Sequence, residues 1–153
     1  MTMKLSMAIA QLVDLLARAG QWITVKLGTC DVSGQTTELV PIVFVAPKAC
    51  YVKSAKLVSL LALAANDTNY VTITLKNVTQ TTAMAATAKT TKATGGTAFV
   101  ANTAWDITID QENTLAAGDV IQLSITPSTN AVANDLTDVI LFLEITENED
   151  DAL

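Results

Sequence analysis

The chain contains no histidine and few charged residues. None of its 153 residues is His, and only 16% are Asp, Glu, Lys or Arg, against roughly 25% in an average soluble domain. Without histidine the chain lacks the commonest general base and the most frequent transition-metal ligand. We therefore expect no hydrolytic triad, no zinc site and no cofactor, and we expect that the protein is not an enzyme.

Cysteine is scarce as well. Cys30 and Cys50 are the only two cysteines, and they match no metal-ligand spacing. They could form a disulfide in an oxidising compartment. More often, however, such cysteines are small buried residues of the core. The sequence also has no EF-hand spacing, no phosphate-binding glycine loop and no Gly-x-Ser-x-Gly elbow.

Basic residues are absent from residues 93–153. All nine Lys and Arg lie in residues 1–92 together with four acids, whereas residues 93–153 carry the other eleven acids. Such segregation is either neutralised by folding within one monomer or creates a face complementary to a neighbouring copy or partner. The acidic second part argues against nucleic-acid binding, because phosphate contacts need a concentrated basic surface.

Half of the residues are hydrophobic, which is a high fraction for a chain with so little charge. The length suits one domain with its own core. Apolar surface left over on a free monomer promotes association, so we expect a subunit of a homo-oligomer. The apolar run at 57–65 is too short to cross a bilayer, and we expect no membrane partner.

Residues 1–20 are predicted to form an N-terminal helical arm that ends at Gly20. Four large apolar residues recur at the spacing of one helical face: Leu5, Ile9, Leu12 and Leu16. Gln11 and Asp14 interrupt the apolar run that a signal peptide would need. The stripe is too short for an independent coiled coil, so it packs on its own domain, on sister helices or on another protein.

From Trp22 onward, short alternating or apolar runs separated by turn residues are typical of strands. The predicted strands are 22–27, 37–45, 50–63, 70–76, 104–109, 120–126 and 138–146. This pattern predicts an all-β domain at 21–147, a β-sandwich or jelly-roll-like domain of about 7–8 strands. Residues 148–153 follow it as an acidic tail.

Three local features refine this prediction. The alternation in 50–63 shifts near Lys53-Ser54, which predicts a bulge. In 70–76, Val71, Ile73 and Leu75 share one face of the strand. The stretch 79–98 is rich in Thr, Ala, Lys and Gly and has few large apolar residues, so we expect it to project from the domain.

Two sets of oxygen-bearing side chains are candidates for chemistry. Asp106 and Asp110 lie on one side of a predicted strand and offer a carboxylate pair. The loops 66–69 and 135–138 carry oxygen ligands that suit calcium. Solvated strand acids explain the first set without catalysis, and turn formation explains the second without a metal.

Aromatic residues are few, at 5% of the chain. If they met on one face, four of them would form a carbohydrate platform: Trp22, Tyr51, Tyr70 and Trp105. Packing in the core or in an interface is the more usual role of aromatic side chains.

Four segments carry a resemblance to a known family. They are 44–55 (FVAPKACYVKSA), 69–75 (NYVTITL), 115–121 (LAAGDVI) and the last strand at 139–145. Together they resemble small virion proteins of tailed phages, of the head decoration, cement or head-fibre-like type. The resemblance implies a β-sandwich subunit, often trimeric, that is made in the host cytoplasm. It further implies that the subunit binds the major capsid protein on the capsid exterior and reinforces the shell.

We therefore expect a non-enzymatic virion structural protein that binds the outer capsid surface as an oligomer and stabilises the shell. The alternative is a carbohydrate- or receptor-binding module of a fibre or surface appendage. At the predicted interface the apolar stripe makes contacts, and lysines meet acids of a neighbouring copy. The predicted interface residues are Leu5, Ile9, Leu12, Leu16, Lys48, Lys53, Lys56, Glu147, Glu149, Asp150 and Asp151.

Overall fold

The structure is a computed structural model that describes residues 20–34, 38–84, 88–109, 114–128 and 135–147. These residues contain ten β-strands and no helix, which confirms the all-β class. The predicted helical arm and acidic tail lie outside the described residues. The strands are β1 (Gln21–Cys30), β2 (Ile42–Val45), β3 (Cys50–Val58), β4 (Val71–Asn77), β5 (Thr82–Ala83), β6 (Lys89–Thr90), β7 (Trp105–Ile107), β8 (Thr114–Leu115), β9 (Val120–Pro127) and β10 (Leu136–Thr146).

The strands form two antiparallel sheets of five strands each. The first sheet has the order β1-β10-β3-β7, and β8 also pairs with β3. The second has the order β2-β9-β4-β5, and β6 also pairs with β4. The pairing is nested, since the first strand pairs with the last and the second with the next to last. A long hairpin that bends repeatedly, so that its successive strand pairs fall alternately in two sheets, produces this order.

Each of the seven predicted strands corresponds to one strand of the structure. The other three, β5, β6 and β8, have two residues each, and two residues are too few to leave an alternation in the sequence. β2 and β3 are shorter than predicted, because β2 begins at Ile42 and β3 ends at Val58.

Both sheets contribute to one hydrophobic core. In β4, Val71, Ile73 and Leu75 have no exposed surface, and the residues between them are partly exposed. The predicted alternation of this strand is thus confirmed. In β10, Leu141 and Leu143 are likewise fully buried. The core therefore lies against the central strands of the two sheets.

The predicted bulge is present at Lys53. Val52 pairs with Ile145 and Ser54 pairs with Glu144, so Lys53 is the extra residue of β3 opposite β10. A bulge lets the side chains on either side of the extra residue keep their faces while the strand twists. The shift in the alternation of the sequence therefore corresponds to a bulge in the pairing of β3 with β10.

The stretch 79–98 does not project as expected. Its strands β5 and β6 pair with β4, and Met84 and Thr91 have no exposed surface. Met84 N donates to Leu75 O at 2.9 Å, and Thr91 N donates to Val71 O at 2.9 Å. The described part of the stretch is an edge of the second sheet, built mostly from small side chains and anchored by one large one.

The antiparallel order gives the molecule two distinct ends. At the terminal end β1 begins and β10 finishes, since Gln21 lies opposite Ile145. Gly20 and Glu147 therefore leave the first sheet side by side. At the loop end lie the segments 59–70 and 91–104, which connect β3 to β4 and β6 to β7.

The burial pattern of β10 predicts unequal costs for neighbouring truncations. Leu141→Ala should lower the free energy of unfolding by about 2–5 kcal/mol, because it leaves a cavity among fully buried side chains. Ile140→Ala, on the partly exposed opposite face, is the matched control and should cost clearly less. Urea unfolding of both variants measures this, and equal costs would contradict the assignment of faces.

Candidate functional site

The three lysines predicted at an interface each pair with an acid of the same chain. The pairs and their N–O distances are Lys48–Glu147 (2.5 Å), Lys53–Glu144 (4.0 Å) and Lys56–Asp106 (3.3 Å). Lys48 and Glu147 were both predicted interface residues, but here they meet within one chain. The other predicted interface residues lie outside the described residues: Leu5, Ile9, Leu12, Leu16, Glu149, Asp150 and Asp151.

Strand order explains these pairs. β3, from the basic first part of the chain, lies between β10 and β7, which both come from the acidic second part. Folding therefore neutralises part of the charge segregation internally, which is one of the two outcomes the sequence left open. All three pairs are partly exposed, and exposed ion pairs contribute only about 0.2–1 kcal/mol each.

The outer face of the first sheet gathers aromatic, cationic and acidic groups, which we call the Trp22 patch. It forms a shallow depression of about 460 Å³. The patch consists of Trp22, Lys53, Ser54, Lys56, Asp106 and Glu144. Trp22, Glu144 and Ser54 lie side by side across β1, β10 and β3. Two predicted interface lysines thus line the same depression as one tryptophan.

Contacts within the Trp22 patch hold its side chains in place. Trp22 is 49% exposed, and Lys56 Nζ lies 5.9 Å from the centre of its ring. Ser54 Oγ donates to Glu144 Oε2 at 2.8 Å. A Cβ at Gly20 would lie 2.6 Å from Glu144 Oε1, so a larger residue at position 20 would make the Glu144 side chain move. The Trp22 patch therefore combines an exposed aromatic side chain with charged and polar neighbours.

The aromatic platform proposed from the sequence does not assemble. Trp105 is only 9% exposed and packs edge to face against Phe99, with ring centroids 4.9 Å apart. Its Nε1 donates to Thr97 Oγ1 at 3.3 Å. Trp105 lies in the core, whereas Trp22 lies on the outer face. Tyr70 lies apart from both, with Lys92 Nζ 5.6 Å from its ring centre.

Sequence reasoning missed a group of exposed apolar side chains at the loop end. The loop-end cluster consists of Leu60 (49% exposed), Leu61 (46%) and Val100 (56%). Backbone hydrogen bonds hold its loops together, since Asn102 N donates to Ser59 O and Leu60 N donates to Thr137 O, both at 2.8 Å. The available signal was the Leu60-Leu61 pair at the point where the alternation of β3 stops.

The loops considered for calcium give their oxygens to backbone amides. Asn66 Oδ1 accepts hydrogen bonds from Thr68 N and Asn69 N at 2.7 and 2.8 Å. Asp67 Oδ1 accepts from Thr94 N at 2.7 Å, and this hydrogen bond lowers the pKa of Asp67. Turn formation therefore accounts for the loop at 66–69. In the described ranges no three Cys, Asp or Glu side chains cluster as metal ligands do.

Asp135 has a similar structural task at the other candidate loop. Its Oδ1 accepts from Ser33 N at 2.7 Å and from Val32 N at 2.9 Å. The hydrogen bond from Ser33 is the main cause that lowers the pKa of Asp135. The carboxylate thus ties the start of β10 to the chain that follows β1. Of the other candidate acids, Asp106 pairs with Lys56, and Asp110 lies outside the described residues.

Asp119 joins two turns at the terminal end. Its Oδ2 accepts from Asn77 Nδ2 at 2.9 Å, from Gln80 Nε2 at 2.5 Å and from Ala116 N at 2.8 Å. Asp119 is 4% exposed. The Asn77 side chain is the largest of the causes that lower the pKa of Asp119. These donors fix the turn before β9 against the turn after β4.

The two cysteines are free and buried, as core residues. Burial raises the pKa of both the Cys30 and the Cys50 thiols. A raised pKa leaves less thiolate at neutral pH, and the thiolate is the reactive form. Their predicted role as small core residues is confirmed.

Comparison of the chain with protein-family models, with curated proteins and with solved structures finds no match. In the part of the chain that the structure describes, no helix is long and apolar enough to cross a membrane.

The hydrogen-bonded carboxylates predict a loss of stability in acid. The pKa values of Asp67, Asp119 and Asp135 are lowered by folding, so the folded protein binds fewer protons than the unfolded chain near pH 3.9. Their stabilisation is present above about pH 5 and is lost as the pH falls through the folded-state pKa values. Calorimetry should show a melting temperature that falls between pH 5 and pH 3.

The Asp119→Asn variant isolates one contribution. It should melt below the wild type at pH 7, because an amide cannot accept all three hydrogen bonds. The difference should narrow as the pH falls below about 4, because the unfolded chain then takes up a proton at Asp119 and the stabilisation by its ionised form is progressively lost. A difference that is constant from pH 7 to pH 3 would show that the ionised form of Asp119 is not what holds the two turns.

Proposed function

We propose that this chain is a non-enzymatic structural protein of a tailed-phage virion. It binds the outer surface of the capsid as a homo-oligomer and stabilises the shell, with the major capsid protein as its partner. It is made in the host cytoplasm and resides on the virion exterior. Its two sheets form a β-sandwich of jelly-roll type.

The nested strand pairing supports the jelly-roll assignment. Strand pairs β1–β10 and β3–β7 fall in one sheet, and β2–β9 and β4–β5 fall in the other. A hairpin rolled up in this way gives the two Greek keys of a jelly roll, a fold used by viral capsid domains, lectins and cupins. Because one fold serves several functions, its surface has to select among them.

The observation that carries the proposal is the Trp22 patch. The patch contains a half-exposed tryptophan on edge strand β1, and tryptophan is among the residues most enriched at the hot spots of protein interfaces. Lys53 and Lys56 stand beside it with their acidic partners and form a polar rim. A shallow, mixed surface of this kind suits a broad protein partner better than a small ligand, which needs a deeper apolar pocket.

The described acids also favour a structural role. Asp67, Asp119 and Asp135 each accept hydrogen bonds from backbone amides, and Asp106 and Glu144 pair with lysines. Carboxylates engaged in this way position loops and strands. A general acid or base needs a carboxyl group free to exchange a proton with a substrate.

Stabilisation of a shell follows from mass action. A protein that binds the assembled capsid, and not its free subunits, shifts the assembly equilibrium toward the shell. Interfaces of standard size bury roughly 1,600 Å². Many identical copies distributed over the shell would then resist internal pressure together.

Trp22→Ala should weaken binding to capsids of the cognate phage prepared without this protein. Loss of an aromatic anchor costs about 2 kcal/mol or more, a fall in affinity of about 30-fold. Co-sedimentation of the variant with capsids measures the effect. Leu61→Asp, which changes an exposed side chain of the loop-end cluster, is the control and should bind as the wild type does. If the wild type neither binds nor stabilises capsids, the proposal is wrong.

The alternative function is a carbohydrate- or receptor-binding module, and the loop-end cluster favours it. The cluster lies at the end opposite Gly20 and Glu147, where a module attached through its termini would present its loops. Exposed loops on a rigid scaffold are a frequent place for binding residues. The platform built around Trp105 is not part of this alternative, because Trp105 is buried.

A receptor role predicts the opposite pattern of variants. Leu61→Asp should abolish binding to host cells or to a glycan array, because it places a charge in an apolar contact. Trp22→Ala should leave that binding intact. Binding that is lost with Trp22→Ala and kept with Leu61→Asp would exclude the loop end as the receptor site.

A further inference from the structure

β1 is the one long sheet edge in the described part of the chain. It has ten residues and pairs on one side only, with β10. The edge strand β2 of the second sheet has four residues and follows Pro41, and the remaining edge strands have two or three. Short strands and proline are the usual means by which edges are protected from pairing with other chains. β1 lacks this protection.

The backbone groups that face this open edge can be identified. Leu60 N donates to Thr137 O on β10, so Leu60 directs its backbone toward β10, and so does Val58, two residues earlier on the same face. Val58 lies opposite Ile140, an outward-facing residue of β10, whose backbone therefore points toward β3. Residues on one face of a strand direct their N–H and C=O groups to the same side, so the core-facing residues of β10 bond to β1. The core-facing residues of β1 form the other half of the backbone hydrogen bonds between β1 and β10. The outward-facing residues Trp22, Thr24 and Lys26 therefore direct their N–H and C=O groups to the open edge.

The first half of this edge is regular and incompletely buried. The register with β10 is constant from Gln21 to Lys26 and shifts twice beyond it, before and after Gly28, where φ is +70°. Three core-facing side chains of β1 remain partly exposed: Ile23, Val25 and Leu27. Their neighbours Leu141 and Leu143 on β10 are fully buried. A further strand beside β1 would complete the burial.

We propose that the edge of β1 pairs with the same edge of a second copy, antiparallel and about a two-fold axis at Thr24. This register places Ile23 opposite Val25 of the second copy, and Trp22 opposite Lys26 of the second copy. Lys26 is the only charged residue in the regular half of the strand, and it meets a ring that already accepts Lys56. A register centred on Lys26 would instead oppose two like charges.

The pairing joins the first sheets of two copies into one continuous sheet. This pairing rests on the proposed function only because it specifies one contact of the proposed homo-oligomer. The pairing itself does not require that the chain binds a capsid. A two-fold contact gives even numbers of copies. It therefore differs from the trimer that the sequence resemblance implies.

Sedimentation velocity of the purified chain tests the pairing. The wild type should form dimers. Thr24→Lys should raise the dimer dissociation constant at least about tenfold, because it opposes two lysines across the axis. Thr24→Glu should do the same, and an equimolar mixture of the two variants should recover the dimer. Thr74→Lys, on the outer face of central strand β4, is the matched control and should remain dimeric.

Thr24→Pro provides a second variant. It removes an N–H that faces the open edge, and proline is tolerated in edge strands at such positions. Circular dichroism should therefore show a folded protein, and sedimentation velocity should show a monomer. A wild type that is monomeric or trimeric, or a Thr24→Lys variant that stays dimeric, overturns the pairing. Co-sedimentation of the folded Thr24→Lys monomer with capsids tests the two proposals separately. If the monomer binds capsids, even more weakly than the wild type does, capsid binding does not require the β1 dimer.

Discussion

The pairing of the first strand with the last is the constraint on which the rest of the structure depends. β10 is central in the first sheet, with β1 on one side and β3 on the other, and its core-facing side chains are fully buried. Until residues 136–146 are in place, β1 has no partner among the described strands. Such distant pairings cost chain entropy before their contacts repay it. The fold is therefore specified by a closure that joins the two ends of the domain.

The same closure gives the charge polarity of the chain a structural meaning. β10 belongs to the acidic second part, and its antiparallel course between two strands of the basic first part brings Glu144 to Lys53 and Glu147 to Lys48. A sequence with separated charges thus folds into a surface with mixed ones. Among the described residues, the charge segregation of the sequence is therefore not a segregation of charge on the surface.

The sequence predicts what depends on local pattern, and fails where distant strands decide. Alternation reports that one face of a strand is buried, so the seven main strands and the bulge at Lys53 were predictable. It does not report which strand lies alongside, so the open edge of β1 and the three two-residue strands were not. Trp105 illustrates the limit within the site. Its pattern fits either face of a strand, and only the packing against Phe99 assigns it to the core.

Strand direction links the proposed self-association to the proposed capsid-binding surface. In an antiparallel pair of β1 strands the two-fold axis is perpendicular to the first sheet. Both Trp22 patches then lie on the same side of the dimer, whereas the two loop-end clusters point in opposite directions along the strands. A capsid could therefore contact both patches at once. The first contact would hold the second patch at a high effective concentration near the shell and so raise the overall affinity of the dimer. The loop ends could not reach one shell together, so a β1 dimer favours docking through the face of the sheet.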